Sequence, residues 1–221
     1  MSICVLDTET TNVPKHGWTG CYIIQLAYII VPTSSLNDDN VILQKSFIIK
    51  SPVPSSKESE EIHHITWERI QSEGIDCKNA LIEFAKDLKE NSVEIIMSHG
   101  IEFDMGFLLK ELVRNNINPN FFRSFKYYNT KKSPLYHTQK GGLSIFATTT
   151  FKGNPHDALY DCYLCLDFFM STKKAIEGDF EKILMVPFDN WHVKTSKWIY
   201  HKNLSKTLEK DKDVKKLAIN V

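Results

Sequence analysis

Ile3-Cys4-Val5-Leu6-Asp7-Thr8-Glu9-Thr10-Thr11 lies close to the amino terminus, a short β-rich run that ends in two acids interleaved with threonines. An apolar run this short, closed by polar residues, reads as a buried strand. Asp7 and Glu9 are two residues apart, so on a strand they share one face, with Cα atoms roughly 6.5–7 Å apart. Two neighbouring carboxylates on one face are costly unless a cation lies between them. Their hard oxygens suit Mg²⁺ or Mn²⁺ rather than zinc. Strand ends in α/β sheets are also where ligands usually sit.

Working outward, Tyr22 to Val31 is a second apolar run, interrupted by Gln25, and residues 41–49 form a third. A turn-like link at Ser34–Asn40 joins them, so the first three strands read as an antiparallel meander. Then the period changes. Pro52 and Pro54 break the chain, and Ser55-x-x-Glu58 has the form of a capping box opening a helix. Residues 76–90 put Ala80, Leu81, Phe84, Ala85 and Leu88 on one helical face behind Asp76 as N-cap. Val93–Met97 reads as a fourth strand, followed by a helix from about 104 to 115, and Phe125–Asn129 as a fifth strand. A short helix around 143–149 and a longer one from about 157 to 172 follow. This order predicts an α/β domain on a mixed five-stranded sheet over residues 1–175. Residues 176–221 read as a basic extension packed on it: residues 192–221 hold eight Lys against three acids, with Trp191, Trp198 and Tyr200 in or beside them.

Composition narrows the classes. The 221 residues carry 27 basic and 27 acidic side chains, which excludes a protein that holds nucleic acid by bulk charge. Arg69, Arg114 and Arg123 are the only arginines, too few for an Arg-dense base-reading surface. The apolar runs are shorter than the roughly 20 residues that span a bilayer. Acids near the amino terminus are unlike a secretory signal. Five cysteines without a disulfide-like pattern lead to the expectation of a reducing, intracellular setting. Cys162 and Cys165, a lone C-x-x-C in a helical context, read as packing residues rather than a zinc site.

Two further acids and a histidine complete a constellation. Asp104 follows the fourth strand after Ser98-His99-Gly100-Ile101-Glu102-Phe103. His156 precedes the last long helix, in a loop marked by Gly153-Asn154-Pro155, and Asp161 lies one turn inside that helix. Each piece taken singly is a cap or a surface carboxylate: D-x-E recurs at Asp179/Glu181, and His-x4-Asp at His99/Asp104. Order is what lifts the set, with D-x-E after the first strand, Phe-Asp after the fourth and His-x4-Asp on the last long helix.

That ordered pattern resembles the DEDDh (DnaQ-like) 3′–5′ exonucleases of the RNase H-like superfamily, over about residues 2–172. The blocks are Val5-Leu6-Asp7-Thr8-Glu9-Thr10-Thr11, Ile62-His63-His64-Ile65-Thr66, Ser98-His99-Gly100-Ile101-Glu102-Phe103-Asp104 and His156-Asp157-Ala158-Leu159-Tyr160-Asp161. Asn12, His64 and Gly100 depart from the usual residues, but no carboxylate is lost. The resemblance implies an RNase H-like exonuclease fold with helices on both sheet faces. It also implies two divalent cations, Mg²⁺ or Mn²⁺. Asp7 would bridge them, Glu9 and Asp161 would complete the site of the water-binding ion, and Asp104 would support the second. His156 would be the general base. Thr10, His63 and Phe103 match positions near the terminal nucleotide in relatives.

The expected function is hydrolysis at the 3′ ends of single-stranded nucleic acid, with DNA slightly favoured. An RNA 3′-end trimming enzyme of the oligoribonuclease or RNase T kind is the first alternative, and a non-catalytic nucleic-acid-binding module on the same fold the second. A separate polymerase or replication protein is a candidate partner, no membrane is involved, and the oligomeric state is open.

Overall fold

The apolar run at the amino terminus becomes the central strand of a five-stranded sheet. In this computed structural model, residues 1–14, 20–36, 38–138, 143, 147–175 and 180–188 are described. Strand β1 (Ser2–Thr10) pairs antiparallel with β2 (Ile23–Pro32), which pairs antiparallel with β3 (Leu43–Ile48). On its other side β1 runs parallel to β4 (Val93–Ser98), and β4 runs parallel to β5 (Lys126–Asn129). The order is therefore β3-β2-β1-β4-β5, the mixed sheet expected from the sequence.

Both faces of the sheet are covered, which is why β1 and β2 read as nearly continuous apolar runs rather than alternating ones. Cys4, Leu6, Leu26, Tyr28 and Ile30 face α3 (Cys77–Glu90) and α4 (Ile101–Arg114). Ile3, Val5, Ala27, Ile29 and Val31 face the opposite layer, built on α6 (Ala158–Ala175). Two short helices follow, α1 (Lys57–His63) and α2 (Trp67–Glu73); Ile65 in the link between them and Ile70 of α2 form a smaller cluster with Ile24 and Ile48. Helix α5 (Pro134–Thr138) and helix α7 (Phe180–Leu184) are the other described α-helices, beside three short 3-10 turns, Asp38–Asn40, Pro119–Ser124 and Thr130–Lys132.

Helix α3 follows its sequence signal closely: Asp76 accepts from Asn79 N, and Ala80, Leu81, Phe84, Ala85 and Leu88 are buried. Phe84 lies at the centre of that layer, its ring 4.8 Å from Tyr28 and 6.0 Å from Phe122. Truncating Phe84 to alanine is expected to cost about 3–5 kcal/mol in chemical denaturation, because the surrounding rings cannot fill the void.

Three local expectations are corrected. Ser56, not Ser55, caps α1, accepting from Ser59 N. Helix α4 begins at Ile101 rather than near 104, because Gly100 enters it at φ 118 with no side-chain cap. Residues 147–150 are not helical, and residues 144–146 of the short helix expected around 143–149 lie outside the described residues.

Residues 180–188 pack along the outer edge of β5. Val186 N donates to Tyr127 O (2.8 Å), Lys132 Nζ to Met185 O (2.9 Å), and Leu184 and Val186 are buried. This protects an otherwise open strand edge. The lysine-rich stretch 192–221 lies outside the described residues. Among the described residues no helix is long and apolar enough to cross a membrane.

Candidate active site

Asp7 and Glu9 leave β1 on the face that carries Ile3 and Val5, towards α6. Their partners on β2 are Ala27 and Gln25, and the register shifts between Glu9 and Thr10. A bulge of this kind at a strand end re-aims the side chains beside it. Asp104 stands in the first turn of α4 and is buried. It is held from both neighbouring strands: Oδ1 accepts from Thr8 N (3.1 Å) and Thr8 Oγ1 (2.7 Å), and Oδ2 from Ser98 Oγ (2.5 Å). Carboxylates near a helix amino terminus are also favoured by the peptide dipoles.

Asp161 arrives on the first turn of α6. Gln25, the lone polar interruption of the β2 run, fixes that helix by accepting from Ala158 N (3.3 Å). Asp157 Oδ1 accepts from Leu159 N and Tyr160 N, so it caps α6. His156 lies just before, in the left-handed region (φ 66), and its N–H donates to Asp161 Oδ2 (3.2 Å). The loop leading to it is tied at several points. Asp167 accepts from Thr148 N, Thr148 Oγ1 and Thr149 N, and Phe151 stacks on Tyr163 at 4.5 Å. Gly153 approaches Tyr160 so closely that an added Cβ would lie 2.6 Å from the Tyr160 Cβ. The result brings one donor atom each of Glu9, His156 and Asp161 within 4.8 Å of one another.

The carboxylates feel one another strongly. Burial raises Asp7 well above the usual range, and the charges of Asp104, Glu9 and Asp161 raise it further. Burial, then Asp161 and Asp104, push Glu9 up to about 8. Burial lifts Asp104 to about 6, despite the donors from Ser98 and Thr8 that favour its ionised form. Burial also raises Asp161, partly offset by His156. The four acids thus share one electrostatic environment, in which burial raises all of them and the charges of their neighbours raise Asp7 and Glu9 further.

The other sequence candidates lie around this cluster. Thr10 is buried, its hydroxyl donating to Asn12 O (3.1 Å). His63 is buried at the end of α1. Its Nδ1 accepts from Ile65 N (3.0 Å), while its Nε2 has no hydrogen-bond partner among the described residues. Burial and the neighbouring charge of His64 push His63 down to about 4, so its ring is neutral near pH 7. Phe103, beside Asp104, is exposed and lies 4.8 Å from Phe107. His99 is structural: Nδ1 is 2.8 Å from Thr130 Oγ1 and its ring meets Tyr136 and Phe168 edge-on. Cys162 and Cys165 are buried in the core, where burial raises both thiols, unlike a thiolate metal site.

Sequence reasoning did not single out Thr8, Ser98, Gln25 or Asp167 as supports. Gln25 alone carried a signal, being a polar residue inside a buried apolar run.

An exonuclease family model, that of RNase T, matches residues 4–169. A comparison with curated protein sequences finds no match. Among solved structures, the fold is similar to exonuclease X in complex with 5′-overhanging duplex DNA, at 18% identity and TM-score 0.57, over 82% of this chain and 97% of that one. It is similar to E. coli exonuclease I in complex with an oligonucleotide, at 14% identity and TM-score 0.64, over 82% of this chain but 42% of that one. The chain therefore spans less than half of exonuclease I. It is also similar to the nuclease domain of 3′hExo, a DEDDh family member bound to rAMP, at 17% identity and TM-score 0.62, over 78% of this chain and 92% of that one.

Proposed function

The chain belongs to the RNase T exonuclease family, and from that premise we propose that it removes nucleotides from the 3′ ends of single-stranded nucleic acid, with DNA favoured over RNA. The observation that carries this reading is the group of four buried or half-buried carboxylates in which Asp7 and Glu9 feel the charges of the others, with His156 beside Glu9 and Asp161. A module that only bound nucleic acid would gain nothing from a group of acids that repels phosphate.

The donor set fits hard divalent cations. Buried carboxylates that raise one another's proton affinity are relieved by positive charge, and their oxygens match Mg²⁺ or Mn²⁺. In this proposal Asp7, Glu9, Asp104 and Asp161 would hold two such ions. When bound, the ions supply Lewis-acid charge that offsets the negative charge developing in a phosphoryl displacement. Thr8 and Ser98 orient Asp104 by donating to both of its oxygens, as outer hydrogen bonds commonly do around metal ligands. His156, which has one donor atom within 4.8 Å of donor atoms of Glu9 and Asp161, takes a proton from the attacking water on a ring nitrogen. Thr10, His63 and Phe103 receive the terminal nucleotide. The unpartnered Nε2 of His63 and the exposed face of Phe103 support that assignment.

Strands of matched DNA and RNA labelled at the 5′ end test this directly. With Mg²⁺ or Mn²⁺ the labelled strand should shorten stepwise from its 3′ end, DNA faster, and a chelator should stop it. Faster RNA shortening would favour the trimming-enzyme reading. Cleavage of circular strands would replace the exonuclease reading with an endonuclease one.

A further inference from the structure

We propose that Lys131 is a substrate-binding residue of this site, its ammonium taking a phosphate oxygen of the strand being degraded. The inference rests on the nuclease reading above and adds a residue that neither the motif blocks nor the carboxylate cluster contains.

Lys131 lies on the short helical turn Thr130–Lys132 that follows β5, at the carboxyl end of the sheet where Ser98 ends the adjacent strand. The turn is rigidly built. Asn129 Oδ1 accepts from Lys131 N (2.9 Å), and Asn129 Nδ2 donates to Glu102. Thr130 is fully buried, with its hydroxyl 2.8 Å from His99 Nδ1 and 3.4 Å from Ser98 O. The two consecutive lysines then diverge. Lys132 Nζ is used structurally, donating to Met185 O (2.9 Å). Lys131 instead runs past Gly100, the residue that leads into the helix bearing Asp104. A Cβ at Gly100 would lie 3.2 Å from the Lys131 ammonium, 3.6 Å from its Cε and 3.7 Å from its Cδ. The Lys131 side chain therefore lies along the bare backbone of Gly100, with its ammonium the atom closest to where a Cβ would stand.

The charge is felt at the cluster without being consumed there. Lys131 lowers the proton affinity of both Asp7 and Asp104. Yet among the described residues its ammonium forms no ion pair, whereas Lys45, Lys57 and Lys86 each do. The three arginines are engaged elsewhere: Arg69 on Glu73, Arg114 on Glu111, Arg123 on Asn120 and the Phe188 ring. An oriented cation at the edge of the carboxylates adds attraction for a phosphodiester strand beyond that of the ions they would hold. A free ammonium on a fixed turn supplies one, as a point-charge phosphate partner.

The test compares the full chain with Lys131→Met and Lys131→Arg. Strand binding is read by fluorescence anisotropy with Mg²⁺ on a single strand whose terminal linkage is a phosphorothioate. KM and kcat are read on the unmodified strand. Lys131→Met should weaken binding and raise KM roughly 10–100-fold, the scale of a lost charged hydrogen bond, with kcat little changed. The slope of log affinity against log salt should shrink by about 0.7. Lys131→Arg should keep most of the wild-type affinity, and both variants should melt like wild type because Lys131 is exposed. Wild-type affinity and salt slope in Lys131→Met would overturn the inference while leaving the nuclease reading intact. A fall in kcat with KM unchanged would do the same, since it would assign the lysine to the carboxylates rather than to the strand. A wild-type protein that neither binds nor degrades strands would defeat the nuclease reading, and this inference with it.

Discussion

Replacing His156 with alanine is expected to lower turnover by roughly 10²–10⁴, the usual range for loss of a general base, while strand and cation binding persist. The geometry makes the two parts of that result separable. His156 has one donor atom within 4.8 Å of donor atoms of both Glu9 and Asp161, so a role as a fourth ligand and a role as a proton acceptor predict different outcomes. Calorimetric titration with Mn²⁺ distinguishes them. Unchanged affinity with collapsed turnover fits the base, and affinity lost in step with turnover fits a ligand. Because the residue sits at φ 66, His156→Asn is the better backbone control, asparagine tolerating the left-handed region where alanine is strained. Wild-type turnover in both variants would remove His156 from the mechanism.

Without cations, the protein is expected to lose stability as pH rises from about 5 to 8. Glu9 is held at about 8, against 4.5 in an exposed chain. Between those values the unfolded chain has released its proton and the folded one has not. The folded state then binds more protons, and unfolding free energy falls with pH. The contribution is complete below the unfolded value and is lost as pH passes through the folded one. Asp104, held at about 6, adds the same trend over a lower window. The loss should amount to a few kcal/mol, read by denaturation in chelator at pH 5 and pH 8. Glu9→Gln, which cannot ionise, should flatten the dependence and be more stable than wild type at pH 8. Saturating Mg²⁺ should restore stability, by about 2.7 kcal/mol at one hundred times its dissociation constant. A metal-free protein whose stability is flat over this range would show that the acids do not share one environment.

The elements legible in the sequence were those whose signal is local. The β1 and β2 runs are continuous because helices cover both faces, and α3 declares itself through Asp76 and its apolar stripe. Helix α2 went unread because Trp67 and Ile70 give it little apolar pattern, although Thr66 caps it. The start of α4 was hidden because glycine leads into it, with no hydroxyl or carboxylate to mark a cap. At the site, the order of Asp7, Glu9, Asp104, His156 and Asp161 along the chain was readable. Their supports were not. Gln25 and Ala158 are 133 positions apart, and Thr8 and Asp104 are 96 apart, so only the folded sheet brings them together. Lys131 was invisible for a related reason: its relation to Gly100 exists only once β4 and β5 lie side by side.

The central place of β1 also guards the assembly of the clustered acids. Bonded to β2 on one edge and β4 on the other, this strand has little freedom to slide. A slip by a single position would swap the two faces. Asp7 and Glu9 would then point into the Phe84 layer, and Cys4 and Leu6 would turn towards α6. Two carboxylates stranded among aromatic rings carry a heavy desolvation penalty. Misaligned versions of the sheet are thus penalised by the very residues that a correctly aligned sheet puts to use, so the acids help enforce the alignment on which their own chemistry depends.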